Sequence, residues 1–113
     1  MSGAGTGKAA DVARGANEER GEVAVAGFVL RPSFARLVAA EAELGPLFAL
    51  VERAADGKLT LAETIALLWH VVHQQGDEAP PARADFAEAL TKAGLSMIAP
   101  ALRGVLGQIL KGR

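Results

Sequence analysis

One stretch, TLAETIALLWHVV at 60–72, constrains the fold more than any other. Thr60 and Glu63 stand at capping-box spacing, where the hydroxyl caps the helix start and the carboxylate reaches back to the cap backbone. Behind them Leu61, Ile65, Leu68, Trp69 and Val72 line one face at helical spacing, and Leu67 and Val71 widen it. A helix apolar over so much of its circumference has to be buried by other elements. The chain is therefore expected to pack around this segment.

The flanks supply those elements. Val23, Val25, Phe28 and Leu30 alternate with smaller or polar residues at period two, which predicts two short strands. Ala26-Gly27 lies between them and predicts a tight hairpin turn. Pro32 ends the second strand, because it has no N–H for a ladder. Two strands alone are marginal in water, so helices must cover them. Ser33 is placed to cap a first helix, with Phe34, Leu37, Val38 and Leu44 as its apolar positions. Gly45 ends that helix and Pro46 suits the first turn of the next, whose stripe is Leu47, Leu50, Val51 and Ala54. Asp56-Gly57 makes the turn into the 60–72 segment. QQGDEAPPARAD is expected to be a loop. Phe86, Ala87, Leu90 and Ala93 predict a fourth helix closed by Gly94. A last helix is expected from about Leu95 through Leu110, with Pro100 near its start, where a missing N–H costs least.

Residues 1–19 differ in kind. They hold Gly, Ala and mixed charge, and Val12 is their only large aliphatic beyond Met1. Such a segment buries too little to offset its ordering entropy, and it is expected to be a flexible arm. The expected fold is α+β, mainly α: a short N-terminal hairpin on a bundle of about five helices, forming a single small domain over 20–113 behind the arm at 1–19.

The composition narrows the chemistry. Half of the 113 residues are hydrophobic but only 4% are aromatic, so the apolar mass is Ala, Leu and Val, which favours helix. The net charge of −1 gives no basic field for nucleic acid. There is no cysteine, hence no disulfide framework and no thiolate metal site. No uncharged apolar run reaches the ~18 residues of a membrane span, the first twenty residues lack an apolar signal core, and Ser2 breaks the myristoylation pattern. A soluble, cytoplasmic chain is expected.

The motifs that suggest an enzyme dissolve when spelled out. SGAGTGKAA contains a glycine-lysine pair, Gly7-Lys8, but a phosphate-binding loop needs glycine where Ser2 stands and a hydroxyl where Ala9 stands. No strand fits ahead of it either. ERAADGKLTLAE (52–63) matches a calcium loop at Gly57 and Glu63, yet its first position is Glu52 and its third is Ala54, which leaves too few oxygens. A glycine turn followed by a capping box explains the same residues. His70 and His73 at i, i+3 fit one helix face, but a third ligand is missing, since Glu63 is two turns away and Asp77 is in the loop. The simpler reading is a polar edge of the Trp69 helix. Ser2, Ser33 and Ser96 are the only serines and none lies in G-x-S-x-G. Glu41 and Glu43 are i, i+2 and face different ways, with Glu41 placed near the next helix N-terminus, where a carboxylate is favoured. No catalytic, cofactor or metal residue is assigned.

The C-terminal helix is the remaining candidate. Leu102, Leu106 and Leu110 form an i, i+4 row joined by Val105 and Ile109, while Gly104 and Gly107 weaken the helix by about 1 kcal/mol each. Such a helix either completes the core or docks on a partner, and both readings stay open.

The order of features from NEERGEV to LLWHVVHQQG resembles the gene transfer agent family of small phage tail proteins, over residues 17–111. The resembling pieces are the RGEV hairpin start, the LRPSFARLVAAEAELG strand-to-helix junction, the GKLTLAE turn and the glycine-ended LWHVVHQQG. The resemblance implies a non-enzymatic tail assembly chaperone, encoded between the major tail protein and the tape measure protein; a tail tube component is the alternative. It implies binding to the tape measure or the major tail protein, or self-association, with no cofactor, small-molecule substrate, nucleic acid or membrane. The setting is the bacterial host cytoplasm or the virion, and the tail belongs to a phage, a prophage or a gene transfer agent. In that reading Leu102, Val105, Leu106, Ile109 and Leu110 are the partner-binding residues.

Overall fold

The computed structural model describes residues 23–73 and 79–111. The arm expected at 1–19, its glycine-lysine pair and Asp77 lie outside them. Among the described residues the fold is a two-stranded antiparallel hairpin on five helices, as the α+β reading expects.

Strands β1 (Val23–Val25) and β2 (Phe28–Leu30) pair in the register Val23 to Leu30 and Val25 to Phe28. The turn puts both Ala26 (φ 52°) and Gly27 (φ 84°) in the left-handed region. That is the pattern of a two-residue primed turn, whose twist matches the strands. Alanine carries a β carbon that this region penalises by about 1–2 kcal/mol. The alternation holds: Val23, Val25 and Leu30 are buried while Ala24 and Val29 face out. Phe28 meets the edge of Phe86, with ring centroids 4.9 Å apart.

Helix α1 (Phe34–Leu44) starts at Ser33, whose hydroxyl accepts from the Arg36 N–H. Its apolar face differs from the expected one. Phe34 is 85% exposed and Val38 also faces out, while Ala40 is buried and Leu37 packs on the core. The reason is angular: positions 37, 40 and 44 share a face, and 34 and 38 fall on its shoulder. Gly45 closes the helix at φ 96°. Pro46 is the N-cap of α2 (Leu47–Ala55), one residue ahead of its expected place in the first turn. Leu50 is buried there and Phe48 is 83% exposed.

Helix α3 (Leu61–His70) carries the capping box: Thr60 Oγ1 accepts from Glu63 N–H, and Glu63 Oε1 accepts from Thr60 N–H. Residues 64–68 are all buried, which makes this the central helix. It ends earlier than its apolar pattern implies. Val71 and Val72 leave the helix and run beside β2, where Arg31 N–H donates to Val71 O and His73 N–H to Val29 O, both at 2.7 Å. Two consecutive β-branched residues favour extended backbone, and the open edge of β2 supplies the partners. The expected face therefore loses Val72, and Leu61 at its other end is largely exposed.

Helix α4 (Arg83–Ala93) buries Phe86 and Leu90 completely. The chain then bends by 115° at Gly94 into α5 (Leu95–Lys111). Pro100 is the sixth residue of α5, past the first turn and deeper than expected, so the bond to the Ser96 carbonyl is not made. Packing of Ile98, Ala101 and Val105 on the core holds the helix through that gap.

The glycines of α5 are not equivalent. A β carbon on Gly104 would stand 2.8 Å from Val23 Cγ2, whereas one on Gly107 would meet nothing within 4 Å. Gly104 is the point where β1 lies directly on α5. Gly104→Ala is expected to destabilise the fold by about 1–3 kcal/mol, because the buried, branched Val23 cannot swing away. Gly107→Ala is expected to stabilise it by about 0.5–1 kcal/mol through helix propensity. Thermal or urea melts of the two variants check the opposite signs.

Candidate functional site

The densest polar arrangement joins three helices at one side of the core. Glu43, near the end of α1, accepts from Arg83 Nη1 at 2.6 Å and Nη2 at 2.9 Å, a two-pronged pair. Its Oε1 also lies 2.7 Å from Nε2 of His70, the last residue of α3. An ionised carboxylate only accepts, so Nε2 carries the proton. The buried Nδ1 then has no hydrogen-bond partner among the described residues. Arg83 lies over the Trp69 ring, 4.4 Å from its centroid, and the indole N–H donates to Pro81 O at 2.9 Å. Arg36 donates through Nε to the His70 carbonyl, which ties the start of α1 to the end of α3.

These bonds set the chemistry. The Arg83 hydrogen bonds, and then the His70 one, bring the Glu43 carboxyl from its ordinary value near 4.5 down to about 2. A carboxylate held so acidic is a poor proton acceptor. The cluster clamps α1 to α3 and α4. Beside it opens a cleft of about 550 Å³, with Glu43, Glu63 and Arg83 around a floor that includes Ile65, Ala66 and Ala87.

The sequence singled out Glu43 only as one of a divergent pair, and that divergence holds. Glu41 Oε2 accepts from Leu47 N–H at the start of α2, 3.0 Å away, while Glu43 turns to α3 and α4. Nothing in the sequence linked Glu43 to Arg83, 40 positions on. An ion pair between remote segments has no spacing signature. The clue that existed was Arg83 close to the loop prolines, positioned at the first turn of α4.

The two histidines do not share a helix face, contrary to the i, i+3 reading. His70 closes α3, and His73 lies in the extended run beside β2. Among the described residues no group of three His, Asp or Glu side chains converges on a metal position. In the 52–63 segment, Glu63 is committed to Thr60 and to Arg53 Nη1. These bonds hold its carboxyl below the usual carboxylate range. Among the described residues no single helix is long and apolar enough to cross a membrane.

The five α5 residues read as partner-binding fall into two groups. Val105 is fully buried and Ile109 packs against the core. Leu102 and Leu106 are half-buried and Leu110 is 63% exposed. The helix thus covers the hairpin with one face and leaves an apolar row on another.

Glu43→Gln is expected to cost no more than about 1 kcal/mol near neutral pH, since solvent screens a side chain that is 39% exposed. The depressed carboxyl contributes stability that is complete above its ordinary value near 4.5 and is lost as pH falls toward about 2. The gap between wild type and Glu43→Gln should therefore close over that window, which melting temperatures at a series of acid pH values test.

A family model described as phage tail tube protein, GTA-gp10, matches residues 18–112. No curated protein and no solved structure matches the chain. The family match runs from ahead of the hairpin through the whole of α5, and the chain accordingly belongs to this family of phage tail proteins.

Proposed function

We propose that this protein is an assembly chaperone for the tail: it binds the tape measure protein or the major tail protein through apolar surface and takes no part in catalysis. The family supports a structural or assembly role in a phage tail. The observation that carries the finer reading is the outer row of α5, where Leu102, Leu106 and Leu110 continue an apolar stripe beyond what the core uses. Contiguous apolar surface on a small protein is the mark of a binding face. A tape measure protein is a long helical chain, and a small helical protein that covers its apolar stripe keeps it from aggregating until the tube forms.

A second reading has its own support. The matching family is described as a tail tube protein, which favours a structural subunit that self-associates within the particle. The two readings differ in where the protein ends up. Mass spectrometry of purified particles is expected to find the tape measure and major tail proteins without this chain, while co-expression of the chain with either of those proteins yields a complex. Recovery of the chain in finished particles at the abundance of a tube subunit would reverse the choice.

A further inference from the structure

We infer that the groove between the start of α3 and the outer face of α5 docks an amphipathic helix of a partner protein, and that acidic residues border the apolar seam of that helix. The inference deepens the chaperone reading and rests on it for the source of the helix.

The groove has about 300 Å³ of open space. Leu59 and Leu61 form one wall, and Leu95, Ala99 and Leu102 form the other. Along α5 the same face continues to Leu106 and Leu110. At 100° per residue, positions 95, 99, 102, 106 and 110 fall within about 80° of one another. The buried positions Ile98, Ala101, Val105 and Gln108 centre roughly 120° away. Leu95 is 67% exposed, Leu110 63% and Leu61 46%, so among the described residues nothing closes either wall.

The shape selects a helix. The spacings from Leu95 to Leu106, four, three and four residues, are those at which two helices interlock side chains, and Leu110 extends the row by a further four. An added strand would need a row of free backbone N–H and C=O groups, and inside α5 only the Ser96 carbonyl opposite Pro100 lacks its helical bond.

The charge selects the partner. Arg103 and Lys111 are the charged residues of α5, and the helix has no carboxylate. Among the described residues no charged side chain of either sign lines the groove, so the charge at its edge is set by the rim. Arg103 borders the seam directly. Two copies of this chain paired through α5 would bring cations together, whereas a helix flanked by Glu or Asp would set opposite charges along the rim.

The test uses the full chain and two designed helical peptides that share one leucine seam, flanked by Glu in one and by Lys in the other. Fluorescence anisotropy is expected to show the Glu-flanked peptide binding at least about 10-fold more tightly, with the difference shrinking in high salt. Leu95→Glu with Leu110→Glu should weaken that binding by a similar factor while leaving the melting temperature and helical circular dichroism in place, because both positions are exposed. Arg103→Glu should reverse the preference. Equal binding of the two peptides, no binding of either, or indifference to Leu95→Glu with Leu110→Glu would overturn the inference. So would a dimer in sedimentation that this double variant dissolves, since a second copy would then own the groove. Capture of the tape measure or major tail protein that survives the double variant would sink the groove but leave the chaperone reading. Binding of the Glu-flanked peptide without capture of either tail protein would do the reverse.

Discussion

The contact between Val23 and Gly104 is the constraint on which the rest of the structure depends. A hairpin of two three-residue strands has one apolar face and almost no ladder of its own. It persists because α5 comes close enough to cover Val23, and only a residue without a β carbon allows that approach. From there the core follows. Val25, Leu30, Val71, Phe86, Leu90 and Val105 close into one cluster, drawn from both strands, the exit of α3, and α4 and α5. The backbone joins in the same place, since the residues after α3 add two hydrogen bonds around a single Leu30–Val72 bridge on the open side of β2.

Opposite demands meet at the Glu43 clamp. Residues 34–44 bury few side chains, so α1 depends on more than apolar packing. Arg36 holds one end of it to the His70 carbonyl, and Glu43 holds the other to His70 and Arg83. Each bond is partly solvated and modest by itself. Their value is positional: they fix α1 against α3 and α4 where small residues such as Ala62, Ala66 and Ala87 leave an open cleft between helices. A carboxylate that accepts three hydrogen bonds from two remote elements holds the shape of that side of the core.

Helix α5 has two apolar faces, one in the core and one partly exposed. Gly104 lies against Val23 of the hairpin and Val105 is in the core, while Leu102, Leu106 and Leu110 lie on another face, half-buried to exposed. That division resolves the ambiguity of the terminal helix, which completes the core and still offers surface. It also explains why the helix tolerates Pro100 and two glycines: tertiary contact, more than propensity, holds it in place.

The sequence by itself determined the elements and most of their ends. Period-two alternation marked the hairpin, Ala26-Gly27 its turn, Ser33 and Thr60 two helix starts, and Gly45 and Gly94 two stops, because each of these signals acts within a few residues. The resemblance read from NEERGEV to LLWHVVHQQG named the family that the match over 18–112 shows. What the sequence left open was everything that depends on remote neighbours. Only the tertiary structure decided that Val71 and Val72 pair with β2, that Phe34 and Val38 face solvent, that Glu43 meets Arg83, and that Gly104 is a contact while Gly107 is a gap. Local periodicity says which side chains share a face. Which face is buried is set by what packs against it, and that neighbour lies far away in the chain.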